Sequence, residues 1–386
     1  MNINYKWAKT SFFILLLTYI LLAMAGCEGS MQDNHIDTPK LDENIAGDNE
    51  NNNPCYTKGQ LEIHHMNVGQ ADATLVVSPS GKNMLIDTGE NPDAEEVIRY
   101  LKDNCIESLD VLVITHAHED HLGGAVAIMS EFPVIRVIDS GIPHTSESYL
   151  RYLTYIDEKE IDFVVPVAGD MLELDPLISI RIVNSGVEGD SLNDASVSIH
   201  LIYNDFSYLT TGDAEKEGER RIVDDFNVKA TVVKVGHHGS DTSSAHFLLQ
   251  EARPSAAIIS YGVGNSYGHP HPEVLTRLAS VGTTEIYDTT EGSIVLVSNG
   301  YDFEIKGKKY SANQNKQHEN QRGIIDINSA NKETLQQLPG VGEAIAERIV
   351  KYREKNGPFQ SIAEIKNVKG IGDAKFEDFK NQIITK

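Results

Sequence analysis

Six consecutive residues, His116-Ala117-His118-Glu119-Asp120-His121, constrain this chain more than any other stretch. They follow Val111-Leu112-Val113-Ile114, an apolar, β-branched run that reads as a buried strand. They precede Leu122-Gly123-Gly124-Ala125, which opens a helix-like stretch. Four metal-ligand side chains therefore sit on one strand-to-helix loop. Backbone alternation can point His116 and His118 to one side, toward one cation. Asp120 and His121 can then turn to a second cation a few ångströms away. Imidazole and carboxylate together suit zinc, manganese or iron. The bland alternative is a polar loop with chance histidines, and the ligand-type residues later in the chain weigh against it.

The His-x-His-x-Asp-His run resembles the signature of the metallo-β-lactamase superfamily of hydrolases. Within it, the best match is the extracytoplasmic hydrolase domain of the ComEC family of competence proteins. Supporting stretches are His65-Met66-Asn67-Val68-Gly69-Gln70-Ala71-Asp72-Ala73, Leu85-Ile86-Asp87-Thr88-Gly89, Thr210-Thr211-Gly212-Asp213, Val233-Lys234-Val235-Gly236-His237-His238-Gly239-Ser240 and Tyr267-Gly268-His269-Pro270. From about residue 60 the pattern alternates short apolar strands with helices. Residues 61–67, 73–77 and 82–86 read as strands, and 93–101 as a helix with Val97, Ile98 and Leu101 on one face. Such alternation fits two packed sheets with helices outside. The resemblance implies the α/β class in its αβ/βα four-layer metallo-β-lactamase sandwich, which periodicity alone does not give.

The resemblance also implies a ligand set. Asp213, at the end of a strand and turn, bridges two cations in the family pattern. His237 is expected as a ligand, with His238 the alternative in the same pair. The commonest superfamily pattern has a further ligand histidine before the bridging aspartate. Here that stretch is Asn193-Asp194-Ala195-Ser196-Val197-Ser198, which resembles the ComEC-type Asn-Asp-x-Ser run, and only His144 and His200 lie between His121 and Asp213. One consistent solution places His116, His118 and His237 on the first metal. Asp120, His121 and His269 then serve the second, with His271 able to replace His269. Asp87 is expected to orient a ligand imidazole, because metal-bound imidazoles donate their other N–H to a carboxylate or carbonyl. Ser196 and Ser240 are candidates for the pocket wall. Asp120 is the catalytic candidate, orienting a nucleophilic water or taking its proton. The implied cofactor is one or two divalent ions, zinc or manganese.

Residues 1–27 read as a secretory signal: Lys6 and Lys9, an apolar run over 12–23, then Met24-Ala25-Gly26-Cys27. Small residues before a cysteine resemble a bacterial lipobox. That implies lipidation of Cys27 and an extracytoplasmic, membrane-anchored protein, or a secreted one if Cys27 is not lipidated. Residues 28–57 form an acidic, Asn-rich tether that cannot bury enough surface to order itself. Cys55 and Cys105 remain, and an oxidising compartment would permit a bridge between them. The hydrolase domain is expected over 58–310 and a polar linker over 311–322.

Residues 323–386 differ in character. Arg322 to Lys386 carry 11 basic and 9 acidic residues, whereas the whole chain has a net charge of -24. Leu338-Pro339-Gly340-Val341-Gly342 and Val368-Lys369-Gly370-Ile371-Gly372 each precede a helix-like stretch. They resemble paired helix-hairpin-helix turns of a ComEA-type DNA-receptor domain, a small all-α unit. Glycines Gly340, Gly342, Gly370 and Gly372 would allow close backbone approach, and amides at the next helix start can bind a phosphate oxygen. Arg348, Lys351, Lys369 and Lys375 could add sequence-independent phosphate contacts. The implied partner is double-stranded DNA, held non-specifically.

The expected function is a surface-anchored, metal-dependent DNase or related phosphodiesterase, linked by resemblance to DNA uptake or scavenging. Two alternatives stand beside it: a non-catalytic DNA receptor, and a hydrolase of another surface phosphodiester such as teichoic-acid phosphorylcholine.

Overall fold

The computed structural model describes residues 56–311 and 325–385, apart from 337, 373, 374, 377 and 378. The signal segment, Cys27, nearly all of the tether and most of the linker lie outside the described residues. So does Cys55. Cys105 is disulfide-bonded.

The strands of the body are β1 (Leu61–His65), β2 (Thr74–Val77), β3 (Asn83–Ile86), β4 (Leu109–Ile114), β5 (Val134–Asp139), β6 (Asp162–Val164), β7 (Met171–Leu172) and β8 (Ser179–Asn184). They continue with β9 (Ser198–Tyr203), β10 (Phe206–Thr210), β11 (Val232–Lys234), β12 (Ala256–Ile259), β13 (Glu285–Asp288), β14 (Ile294–Ser298) and β15 (Phe303–Lys306). One sheet runs β15-β14-β1-β2-β3-β4-β5-β6 and the other β13-β12-β11-β10-β9-β8-β7. In each, one half is antiparallel and the other parallel: β3 through β6 in the first, β10 through β13 in the second.

The sheets face each other across an apolar layer. Ile63, Val76, Met84, Val111 and Val113 of the first meet Ile180, Ile182, Ile199, Tyr208, Val232 and Ile258 of the second. Strand residues of opposite parity face the helices. Leu112 and Ile114 of β4 pack with Val97 and Leu101 of the helix Ala94–Asp103 and with Tyr149, Tyr152 and Ile156 of Glu147–Lys159. Leu209, Val233, Ala257 and Ile259 pack with the helices Lys216–Asp225, His246–Ala252 and Pro272–Ser280. Central strands covered on both faces read as unbroken apolar runs. This is the four-layer arrangement that the resemblance implied.

The tail forms a separate core around Ile327, Leu338, Ile349, Phe359, Ile365 and Phe379. Its strands β16 (Ile325–Asp326) and β17 (Ile383–Ile384) pair in parallel and tie the two ends of the unit together. Gly342 starts the helix Glu343–Asn356, and Gly340 before it takes φ +67°. The two turns are cross-braced. Arg348, in the helix after the first, donates to the carbonyl of Lys369 in the second. Lys375 donates back to the carbonyl of Gly340, 2.8 Å away.

Candidate metal centre

The loop after β4 opens into the gap between the C-terminal ends of the parallel strands. His116 is fully buried, and its Nε2 lies 2.8 Å from Nδ1 of His118, so both rings aim at one point. His118 precedes the single-turn helix Glu119–Leu122, which turns His121 back under the loop. The Nδ1 of His121 meets Oδ2 of Asp87 at 2.8 Å. Asp87 in turn accepts from the amide and hydroxyl of Thr115, at 2.8 and 2.9 Å. Those bonds fix the imidazole and leave its Nε2 facing Asp213.

Asp213 is the hub. Its Oδ2 lies 3.2 Å from Nε2 of His121, 3.7 Å from that of His237, 3.8 Å from that of His238 and 3.9 Å from that of His116. Gly212 before it takes φ +57°, and a Cβ there would stand 2.9 Å from Cβ of Ser196. Ser196 therefore occupies the floor of the site, where its Oγ accepts the Asp213 amide at 3.1 Å and lies 3.4 Å from Nδ1 of His116. The adjacent His237 and His238 both adopt left-handed backbone, φ +49° and +54°. Such strain in residues with a Cβ gathers at functional sites. It turns both rings inward: Nε2 of His238 is 3.3 Å from Oδ2 of Asp120 while its Nδ1 lies 3.1 Å from the Ser260 carbonyl.

His269 stands further out. It takes part in the wall of the cavity, with its Nδ1 3.3 Å from Nε2 of Gln70. His271 turns away, its ring between the amide of Asp241 and the carbonyl of Tyr267. His200 is bonded to the carbonyl of Lys229 on the far side of its sheet. The structure thus gathers His116, His118, Asp120, His121, Asp213 and His237 as the sequence suggests. It brings His238, which the sequence left as the alternative to His237, to the same cluster. Ser240 lies beside Thr242 in the following loop.

Sequence reasoning missed Asp72. Ligand atoms of Asp72, His121, Asp213 and His238, all buried, lie within 4.8 Å of one another. Oδ2 of Asp72 pairs with the buried Nζ of Lys234 at 2.5 Å. The only signal was its place inside the stretch Gln70-Ala71-Asp72, and its partner is distant in sequence.

These groups fit a divalent cation. Oδ1 of Asp72, Oδ1 of Asp213, and Nε2 of His121 and His238 are buried and make no well-formed hydrogen bond. Buried polar atoms of that kind need a partner. Burial pushes the Asp213 carboxyl up, but the imidazoles of His121 and His238 outweigh it and hold it well below the usual carboxylate range. Burial pushes Asp120 up as well, and His121 and His238 bring it far down. Burial lowers His116 well below an ordinary histidine, which leaves its ring neutral as a ligand must be. The cluster forms the floor of an open cavity of about 500 Å³.

Residues 66–263, just over half of the 386, match the Metallo-beta-lactamase superfamily. The chain belongs to that superfamily. Residues 320–384 match the helix-hairpin-helix motif. ComE operon protein 3 of Bacillus subtilis (strain 168) is 32% identical over 244 residues, 58% of this chain and 31% of that protein. Recombination protein 2 of Haemophilus influenzae is 33% identical over 227 residues, 58% of this chain and 27% of that protein. The tail is 48% identical over 63 residues to ComE operon protein 1 of Bacillus subtilis, 16% of this chain and 31% of that protein. The chain thus spans under a third of each of these relatives. Among solved structures, the metallo-beta-lactamase fold protein YhfI from Bacillus subtilis aligns with a TM-score of 0.42 and 12% identity over 62% of this chain and 100% of that one. As a superfamily member the protein carries the core of a metal-dependent hydrolase, here joined to a helix-hairpin-helix tail. No helix among the described residues is long and apolar enough to cross a membrane.

Proposed function

We propose that this protein is a surface-anchored, metal-dependent phosphodiesterase that cleaves DNA held by its tail. One observation carries the reading: a single chain joins a metal-type cluster on the floor of an open cavity to paired helix-hairpin-helix turns. The names of the relatives, competence and recombination proteins among them, agree with a polynucleotide substrate and with a role in DNA uptake. Anchoring through a lipidated Cys27 would keep the hydrolase outside the cytoplasm.

His116, His118 and His237 are the residues proposed to hold one cation, and Asp120, His121 and His238 the other, with Asp213 between them. When bound, a divalent ion brings the pKa of water down to about 7 and stabilises charge on phosphoryl oxygens. Asp120 lines the cavity, and its carboxylate, held far below the usual range, can accept a hydrogen bond from the attacking water and hold that water in line. Asp87 keeps His121 in one tautomer through the Nδ1 contact. Ser196 holds the Asp213 backbone.

The test is cleavage of labelled linear and circular DNA by the purified protein with added manganese or zinc, beside Asp120→Ala. Metal-dependent cleavage that falls about a hundred-fold or more in the variant supports the reading. Absence of cleavage with retained, salt-sensitive binding would leave a DNA receptor. Absence of both would redirect the search to other surface phosphodiesters.

A further inference from the structure

We propose that Tyr267 is a stacking platform for one unpaired nucleobase next to the phosphodiester under attack. The proposal rests on the phosphodiesterase reading above and specifies how that site takes its substrate.

Tyr267 is 65% exposed. Its inner face is occupied. The ring lies on His269 at 25° and 5.5 Å between centroids. His269 lies on His238 at 18° and 6.4 Å. Three rings, each tilted by no more than 25° from the next and offset from it, therefore form a loose column from solvent down to the metal-type cluster. The outer face of Tyr267 is the open end of that column, and a further flat ring placed there would extend it.

The loop that carries the ring is held rigid. Oδ1 of Asn265 accepts from the amides of Tyr267 and His269 at 3.1 and 3.0 Å. Its Nδ2 donates to the carbonyls of His269 and Gly262 at 2.8 and 2.9 Å. The ring of His271 lies 3.1 Å from the carbonyl of Tyr267. A ring fixed before the ligand arrives costs little ordering entropy on binding.

Position decides what sits there. Tyr267 and Ser266 line the metal cavity. The same two residues line a second cleft whose opposite wall is the first hairpin, from Leu338 to Gly342. A strand whose backbone follows the hairpin amides would pass Tyr267 on its way to Asp120 and Asp213. Every nucleobase has a π-face, so an aromatic platform at that point grips a strand without reading its sequence. A base within a duplex is already stacked on its neighbours and must be unpaired to reach Tyr267. The site should therefore favour single strands, frayed ends and gaps.

The experiment compares full-length protein with Tyr267→Ala and Tyr267→Trp. Substrates are a short oligothymidylate and an abasic oligonucleotide of the same length and charge. Wild type should turn over the oligothymidylate about ten-fold better in kcat/KM, the stacking of one base being the difference. Tyr267→Ala should lose that preference by slowing on the oligothymidylate alone, and Tyr267→Trp should keep it. A preference left intact in Tyr267→Ala overturns the proposal. If wild type cleaves neither substrate, the phosphodiesterase reading fails by itself and stacking is read by fluorescence. Tryptophan emission gained in Tyr267→Trp, the one native tryptophan, Trp7, lying within the signal segment, should be quenched by the oligothymidylate and not by its abasic counterpart. Equal response to both, or quenching by phosphorylcholine alone, overturns the proposal.

Discussion

At the scale of single residues, the site depends on side chains that never face the substrate. Asp87 is buried, and it reaches His121 and Thr115 with both oxygens. Replacing it by asparagine leaves one acceptor oxygen where Thr115 and His121 now use two, and a donor NH2 turned to Nδ1 of His121 lets the ring change its tautomer. Asp87→Asn should weaken zinc or manganese binding about 10- to 100-fold by calorimetric titration. Unchanged affinity would show that packing alone orients His121. The buried Lys234 is the counter-charge for Asp72. Lys234→Met would strand that carboxylate, and denaturant unfolding should register a loss of about 3–5 kcal/mol. A loss below about 1 kcal/mol would mean that Asp72 finds another partner.

The same scale shows where sequence reading stops. His116, His118, Asp120 and His121 were legible because one loop carries them all. His237 and His238 could not be separated by spacing, since adjacent residues differ only in where the backbone points them. Their left-handed φ angles aim both rings at Asp213, a tertiary fact with no local signature. Asp72 stayed unread because its partner, Lys234, is brought to it only by packing of the two sheets.

At the scale of elements, the loop after the His237–His238 pair is clamped from two helices. Glu219 in Lys216–Asp225 accepts the amides of Ser244 and Ala245 at 2.5 and 2.8 Å. Arg277 in Pro272–Ser280 donates to the carbonyls of Ser243 and Asp241, both at 3.0 Å. Burial outweighs the amide bonds and pushes the Glu219 carboxyl from an ordinary 4.5 up to about 8. Between those values the unfolded chain gives up the proton and the folded chain keeps it. Stability from this group is therefore full below 4.5 and lost as pH rises to about 8. The thermal midpoint of the wild type should fall across that window, and Glu219→Gln should flatten the slope. A slope identical in the two proteins would exclude Glu219 as its source.

The element boundaries themselves were largely readable. The strand expected over 82–86 is Asn83–Ile86, and the helix expected over 93–101 is Ala94–Asp103. The order of layers was not. Strands such as β4 and β12 are apolar on both faces, so alternation carries no sign of which residues meet the other sheet. Only the resemblance supplied the four-layer arrangement.

At the scale of the molecule, charge is divided between the units. The whole chain carries -24, yet its last 65 residues are slightly basic. A polyanion should therefore be held by the tail and repelled by much of the rest. Removing residues 323–386 should weaken DNA binding and lessen its decline with salt, while hydrolysis of a small phosphodiester ester continues. Loss of both activities together would show that the tail also supports the hydrolase fold. The sequence made the tail recognisable through its two glycine turns; it could not show that Arg348 and Lys375, suggested there for phosphate contacts, each also donate to a hairpin carbonyl.

That exchange of donors has a mechanical meaning. Each turn is latched by a side chain rooted beside the other, so neither latch closes unless both halves are folded. Wear at one end is felt at the other: a lesion in the second hairpin withdraws the brace from the first. The tail is then expected to loosen as one clasp rather than by halves when either latch is cut.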